Sequence, residues 1–315
     1  MASCDIVIVN WNAGGQLRRC LESVAGTVRA GCDVRRVVIV DNASSDGSAD
    51  GLEYPSLPLM IIRNDLNEGF AAACNRGASK SGADYLLFLN PDMELFSDSL
   101  SRPVAFLEHP EHRRIGIAGI QLIDECGAVS RSCARFPSLA RCVSRALGLH
   151  RLSPRLFPTY MMTGWDHGAE REVDHVSGAF FLVRRAVFET LGGFDERFFV
   201  YLEDLDFSYR MRLAGWRSRY IADARAFHRG GGVSEKARAE RLYYSTSSRI
   251  LYAFKHFTRI DAGVLLFVTV ALEPLVRLCS AIVAGSTGDI TVTARGYARL
   301  YRALPRITRG MRVHA

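Results

Sequence analysis

The strongest constraint on the fold is a pattern repeated through the first 120 residues. Five short apolar runs, at 5–10, 36–41, 59–63, 85–90 and 115–120, alternate with amphipathic stretches such as 16–28 and 70–81. Runs of this length and apolarity suit strands buried on both faces, and the intervening segments are long enough to serve as the crossovers that parallel strands need. The pattern predicts an α/β fold with a mostly parallel central sheet flanked by helices. In such sheets, ligands collect in the crevice outside the carboxyl ends of the strands.

Those carboxyl ends are polar. The first run closes on Asn10-Trp11-Asn12, the second on Asp41-Asn42-Ala43-Ser44-Ser45-Asp46-Gly47-Ser48, and the fourth on Asn90-Pro91-Asp92. Any one such loop could be a turn or a helix cap with no further role. Three at one edge of a sheet point to a polar site. No G-x-G-x-x-G follows the first run and no G-x-x-x-x-G-K-[ST] occurs, which argues against a dinucleotide enzyme or a P-loop ATPase. The Gly230-Gly231-Gly232 run matches neither motif. A nucleotide bound here needs carboxylate and amide groups for its base and ribose, and a metal ion to neutralise its phosphates.

Composition narrows the class further. The chain has 315 residues, 48% hydrophobic and 23% charged, the balance of a globular protein with a large core. Its formal charge of +7 is carried almost wholly by arginine, the lysines being Lys80, Lys236 and Lys255. Anionic partners are therefore expected, with an arginine-rich source composition as the bland alternative. The eight cysteines form no C-x-x-C pair and read as reduced thiols. Met1 to Asp5 lead straight into the first run without a basic start and apolar core, so no export signal is read and a cytoplasmic location is expected.

Six segments in order carry a family resemblance over residues 5–236: VIVNWN, VVIVDNASSDGS, NDLNEGFAAACNRG, YLLFLNPDMEL, VSGAFFLVRRAVFETLGGFDERFF and YLEDLDFSYRMRLAGW. The chain resembles the family 2 glycosyltransferases of GT-A fold, especially the bacterial rhamnosyltransferase-like members that build cell-surface polysaccharides. The resemblance implies a catalytic domain over 1–236, with a nucleotide-sugar half to about residue 120 and an acceptor half over 121–236. It also implies a nucleotide-diphosphate sugar donor and a lipid-linked or polysaccharide acceptor. Rhamnose from dTDP-rhamnose is the leading donor, a UDP-sugar the next.

Site residues follow position by position from this resemblance. Asp41 matches the acid that hydrogen-bonds the nucleotide base, and Asn10, Asn12 and Asn42 accompany it at the strand ends. Asn67, Gly69 and Asn75 fall where the family closes on the donor, with Arg76 placed to steady a phosphate. Asn90-Pro91-Asp92 stands where many relatives carry Asp-x-Asp, so only the second carboxylate is kept. Asp92 is then the metal ligand, with His228 as its partner, for Mg²⁺ or Mn²⁺, both of which take oxygen ligands readily. Asp204 matches the catalytic base and Glu203 its neighbour, while Asp206 is expected to be structural. Gly178 and Trp216 are the acceptor-side candidates. A proton-accepting carboxylate opposite a departing diphosphate gives a single displacement with inversion. Acidic residues at a helix start also favour the helix dipole, which is the plain alternative for 203–206. A non-catalytic nucleotide-sugar or glycan-binding relative is the competing function.

Outside these motifs, residues 121–174 scatter arginines among prolines, a suitable face for a diphosphate-linked lipid. Residues 237–315 form a distinct helical segment. Two uncharged stretches, 262–272 and 278–288, flank Glu273, Pro274 and Arg277 and suggest an apolar hairpin on a membrane surface. Arginines at 295, 299, 302, 306, 309 and 312 follow at helical spacing, with Pro305 expected to kink or end that helix. An anionic membrane surface at the inner face of the plasma membrane is the expected partner, a homo-oligomer contact the alternative. No nucleic-acid reader fold accompanies the basic stripe, so nucleic acid is not expected.

Overall fold

The computed structural model describes residues 1–27, 32–230 and 237–310. They fall into two compact units, one of Met1–Arg135, Met161–Glu196 and Glu203–Val233, the other of Phe136–Tyr160, Arg197–Leu202 and Ser234–Ala315.

The first unit is built on β1 (Ser3–Asn10), β2 (Asp33–Asp41), β3 (Leu59–Arg63), β4 (Tyr85–Leu89), β5 (Met93–Leu95), β6 (Ile115–Ile123), β7 (Cys133–Ala134), β8 (Arg171–Val173), β9 (His175–Val176), β10 (Phe180–Arg184) and β11 (Arg217–His228). The main sheet runs β3-β2-β1-β4-β10-β6-β11-β5, with β8 on β11, while β7 and β9 pair separately. β1 and β4 are buried along their whole length, as the unbroken apolar runs require when helices cover both faces. Helix Phe70–Ala78 lies close to the sheet because its inward residues are small: a Cβ on Gly77 would come within 2.4 Å of Val7 and 3.0 Å of Val40. The other face holds Leu17, Leu21 and Val24 of helix Gly15–Thr27.

The sheet is parallel through β3-β2-β1-β4 and between β6 and β11. Its remaining pairings are antiparallel, a larger share than "mostly parallel" implies. Two of these set β5 and β8 against β11; the other two come from β10, which reaches the sheet from a loop and not through a helical crossover, inserting antiparallel between β4 and β6. Beside it, Phe88, Phe181, Phe188, Phe194 and Phe207 form a cluster of tilted and edge-on rings that packs helix Glu203–Leu213 under the sheet. β11 continues past residue 221, where the apolar pattern breaks, through an irregularity between Ile221 and Arg225 to His228.

In the second unit, the anticipated hairpin is one continuous helix, Arg259–Val283. A π-helical turn, Val268–Leu272, absorbs the misfit, so Pro274 falls in the first turn of the resumed α-helix, where its missing N–H costs no internal bond. Glu273 is buried and paired with Arg249 and, at 2.9 Å, with Arg277. Helix Thr287–Gly310 also continues through Pro305. On it Arg295, Arg299, Arg302 and Arg306 are exposed while Tyr297 and Leu300 are buried, the two-sided arrangement that the spacing predicts. The side chains of Arg309 and Arg312, and Gly231, Gly232 and Lys236, lie outside the described residues.

Candidate active site

The parallel strands bring their polar ends to one edge. Asn10 and Asp41 are register partners on β1 and β2. Asn10 Nδ2 lies 2.9 Å from Asp41 Oδ1, 3.0 Å from Ser44 Oγ and 2.9 Å from Ser48 Oγ, while Asn10 Oδ1 is buried without a partner. The second oxygen of Asp41 faces Arg63 at 3.6 Å, a neighbour from β3 that the sequence motifs did not single out. Asn12, in a left-handed conformation, accepts from the Ser45 amide at 2.8 Å and so folds the two strand-end loops together.

Asn42 has a different role. Its Nδ2 donates to Asn67 Oδ1 and to the Gly69 carbonyl, and its Oδ1 accepts from Asn64 Nδ2 and the Glu68 amide. All its polar capacity is spent bracing the loop ahead of helix Phe70–Ala78, where Gly69 adopts φ 92°. Asn75 likewise clamps Phe194 through both backbone groups and reaches Glu196 at 2.9 Å. Arg76 lies 3.5 Å from Glu68. These residues shape the crevice; their side chains are engaged within the protein.

Beyond β4, Asn90 donates its amide to Ala179 O at 3.0 Å, and Asp92 follows two residues later. β5 pairs His228 with Met93, which sets His228 Nε2 3.4 Å from Asp92 Oδ2. Gln16, Arg19, Glu94 and Arg229 surround Asp92. Arg19 and Arg229 are basic groups beside the carboxylate that the motifs left unassigned; Arg229 also donates its amide to Asp92 O at 3.2 Å. Among the described residues no three metal-ligating side chains cluster. The carboxylate and imidazole therefore fit a divalent ion that completes its shell from a diphosphate and water.

Helix Glu203–Leu213 begins after two strained residues, Tyr201 at φ 70° and Leu202 at φ 67°. Its first turn presents Asp204, whose Oδ2 accepts from the Gly178 amide at 2.9 Å and whose Oδ1 accepts from Leu205 N at 2.8 Å. A Cβ on Gly178 would lie 2.6 Å from that Oδ2, so glycine is required for the contact. Asp204 keeps 17% side-chain exposure and can still meet a ligand. Glu203 is buried, and its Oε2 has no partner. Burial, followed by the charge of Asp204, pushes its carboxyl well above the usual range. Asp206 is fully buried and bonds Arg210 at 2.9 Å, the structural role expected of it.

Trp216 is not with the others. It packs against Gly116 and Met211 at the start of β6, beyond the far end of the helix that carries Asp204. The helix alone, at 1.5 Å per residue, separates them by roughly 15 Å. That position is one of packing, away from the Asp204–Gly178 contact. His175, one of the histidines whose spacing in the sequence suggests no metal site, lies beside Asp204, its Nε2 3.5 Å from Oδ2. No local pattern announced it, because β9 and the Glu203 helix meet only in the folded chain.

Residues 5–192 match the model for Glycosyl transferase family 2, and residues 160–293 that for Glycosyl transferase family group 2. The chain belongs to glycosyl transferase family 2 and is a glycosyltransferase. It is 29% identical over 274 residues to an N-acetylglucosaminyl-diphospho-decaprenol L-rhamnosyltransferase of Mycobacterium tuberculosis, covering 80% of this chain and 84% of the relative. It is 32% identical over 148 residues to rhamnosyltransferase WbbL of Escherichia coli, covering 46% and 52%. In structure it resembles mannosyltransferase PcManGT of Pyrobaculum calidifontis in complex with GDP-Man and Mn²⁺, with TM-score 0.55, 17% identity and coverage of 98% and 84%. The GalNAc-T7 structure with UDP, GalNAc and Mn²⁺ has TM-score 0.52 at 17% identity, covering 81% of this chain and 51% of that one. These likenesses establish the GT-A fold.

The buried Glu203 carboxyl has a stability consequence. Unfolded, it titrates in the ordinary carboxylate range; folded, it holds its proton to higher pH, so the folded chain binds more protons in between and loses stability as pH rises through that window. Glu203→Gln should match the wild type in acid and gain on it as pH rises, by up to about 1.4 kcal/mol per pH unit until the folded pKa is passed. Thermal melts of both proteins from about pH 4 to about pH 8 measure this; a difference that stays flat with pH contradicts it.

Proposed function

We propose that this chain is an inverting glycosyltransferase in which Asp204 is the base and Asp92 with His228 the site of a divalent metal. The observation that carries the reading is the Asp204–Gly178 contact, which holds a partly exposed carboxylate at the crevice edge next to the β4 end. Asp204 takes the proton of an acceptor hydroxyl as its oxygen attacks the anomeric carbon. The bond to the diphosphate breaks, its electron pair leaves with the diphosphate, and the anomeric centre inverts. Mg²⁺ or Mn²⁺ bound at Asp92 and His228 would stabilise the charge on that leaving group. Arg19 and Arg229, paired with Glu94 at 3.2 Å and Glu125 at 3.1 Å, stand beside the same position and can turn to a diphosphate, and Asp41 with Asn10 offers the polar floor for the nucleotide.

The donor we favour is dTDP-rhamnose, with a UDP-sugar next, and the acceptor a lipid-linked diphosphate sugar. The names of the mycobacterial and Escherichia coli relatives support rhamnose as the sugar, and that of the mycobacterial relative supports a lipid-linked diphosphate acceptor. Donor turnover should be measured across dTDP-, UDP- and GDP-sugars with and without Mn²⁺ or Mg²⁺. Asp92→Ala is expected to lose metal-dependent donor binding, and Asp204→Asn to bind donor while losing turnover by about a hundredfold or more. Absence of binding to every donor contradicts the enzyme and leaves a non-catalytic relative.

A lipid-linked acceptor calls for a membrane-facing surface, and we assign it to the second unit. Helix Arg259–Val283 exposes Ile260, Val264, Phe267, Leu275, Ile282 and Val283. In the same unit Leu152 and Leu156 are exposed beside Arg151 and Arg155. Apolar side chains interspersed with arginine suit insertion at an anionic leaflet. The buried Glu273–Arg249 pair, midway along the helix, favours a helix packed on protein on one side over a lone membrane span. Sedimentation with vesicles should show binding to anionic and not to neutral lipid, reduced about tenfold or more by Phe267→Glu with Ile282→Glu. A protein that ignores vesicles but dissociates from a dimer with those substitutions contradicts the assignment.

A further inference from the structure

His175 has no part in the roles above, yet its position is specific. Its ring is buried, with Nδ1 3.1 Å from Ser208 Oγ and Nε2 3.5 Å from Asp204 Oδ2. Ser208 stands one helical turn after Asp204, and its hydroxyl lies 2.8 Å from the Asp204 carbonyl. One imidazole thus spans the carboxylate and the helix turn that carries it.

The protons can be counted. A serine hydroxyl has one hydrogen, and the shorter contact gives it to the Asp204 carbonyl. Ser208 Oγ then accepts from Nδ1–H, and in a neutral imidazole the free lone pair is on Nε2, facing Asp204. The ring is kept neutral by burial, which pushes its pKa below the ordinary histidine value against the opposing pull of Asp204 and Asp174. A neutral Nε2 does not neutralise the ionised carboxylate, which stays free to act as a base, but it can accept a hydrogen bond once that carboxylate is protonated.

We propose, resting on Asp204 as the base, that His175 is a positioning residue which fixes the Asp204 carboxyl and accepts a hydrogen bond from it at Nε2 once Asp204 holds the acceptor's proton. The proton moves once, from acceptor hydroxyl to carboxylate, while the glycosidic bond forms and the bond to diphosphate breaks. The imidazole remains neutral throughout and stabilises the protonated acid that the reaction generates. Gly178 N–H steadies the ionised form of the same oxygen, so the carboxyl has a partner in each state.

The test uses the full chain, the most active nucleotide sugar of the donor panel with Mn²⁺, and a short-prenyl diphospho-N-acetylglucosamine acceptor. His175→Leu keeps bulk and removes the lone pair; His175→Gln keeps an acceptor atom; Ser208→Ala leaves the ring without its Nδ1 partner. We expect His175→Leu to lower kcat by about tenfold to a hundredfold with donor KM and nucleotide affinity unchanged. His175→Gln should recover at least about a third of the wild-type kcat, and Ser208→Ala should show a smaller loss confined to kcat. Wild-type kcat in His175→Leu, or equal losses in the Leu and Gln variants, overturns the proposal. If His175→Leu does not fold, Ser208→Ala decides: a loss of nucleotide affinity in parallel with kcat marks a structural role and overturns it. Asp204→Asn in the same assay separates the two claims. Turnover retained there sinks the base assignment and with it this one, whereas its loss alongside an unaffected His175→Leu sinks only the histidine.

Discussion

The site depends on one insertion. β10 lies antiparallel between β4 and β6, with Phe180 opposite Leu89 and Leu182 opposite Ala118. Its entry places Ala179 O against the Asn90 amide and, one residue earlier, the Gly178 amide against Asp204. Its register is held by hydrogen-bonded partners on both sides, β4 along its whole length and β6 at Leu182 and Val183. The backbone therefore fixes Asp204 relative to the strand end that carries Asp92. The aromatic cluster around Phe207 holds the same helix from below, so the carboxylate is located by sheet hydrogen bonds and by packing at once.

Polar groups at the crevice divide by what they do with their hydrogen bonds. Asn42 and Asn75 have theirs filled by the protein, and deleting either would leave buried backbone groups without partners. Asp92, His228 and Asp204 are held at one side and retain an exposed face. Asn10 and Glu203 each carry a buried oxygen without a partner, as do Asp5 and Asn64 among the described residues, each at a desolvation cost that most buried polar groups avoid.

Much of this was legible in the sequence, for identifiable reasons. The strands that end near residues 10, 41 and 90 follow from short unbroken apolar runs, and their polar ends marked the crevice. The antiparallel entry of β10 was not legible, since direction in a sheet is a tertiary property and FFLVR reads the same either way. Trp216 was misplaced because a motif records which residues recur and not where a helix ends. Pro274 read as a break because the π-helical turn that accommodates it has no sequence signature of its own. His175 escaped for the same kind of reason: its partners come from a helix some thirty residues away, at Asp204 and Ser208.

If one carboxylate acts as the only base and no covalent sugar intermediate forms, a single displacement follows, and the product's anomeric configuration reports it directly. The decisive measurement is the proton NMR spectrum of the newly formed glycoside, made by the wild-type chain from the donor it accepts. The account predicts an anomeric configuration opposite to that of the sugar in the donor. Retention would contradict it, because Asp204 acting as a base in one displacement has no route to that product.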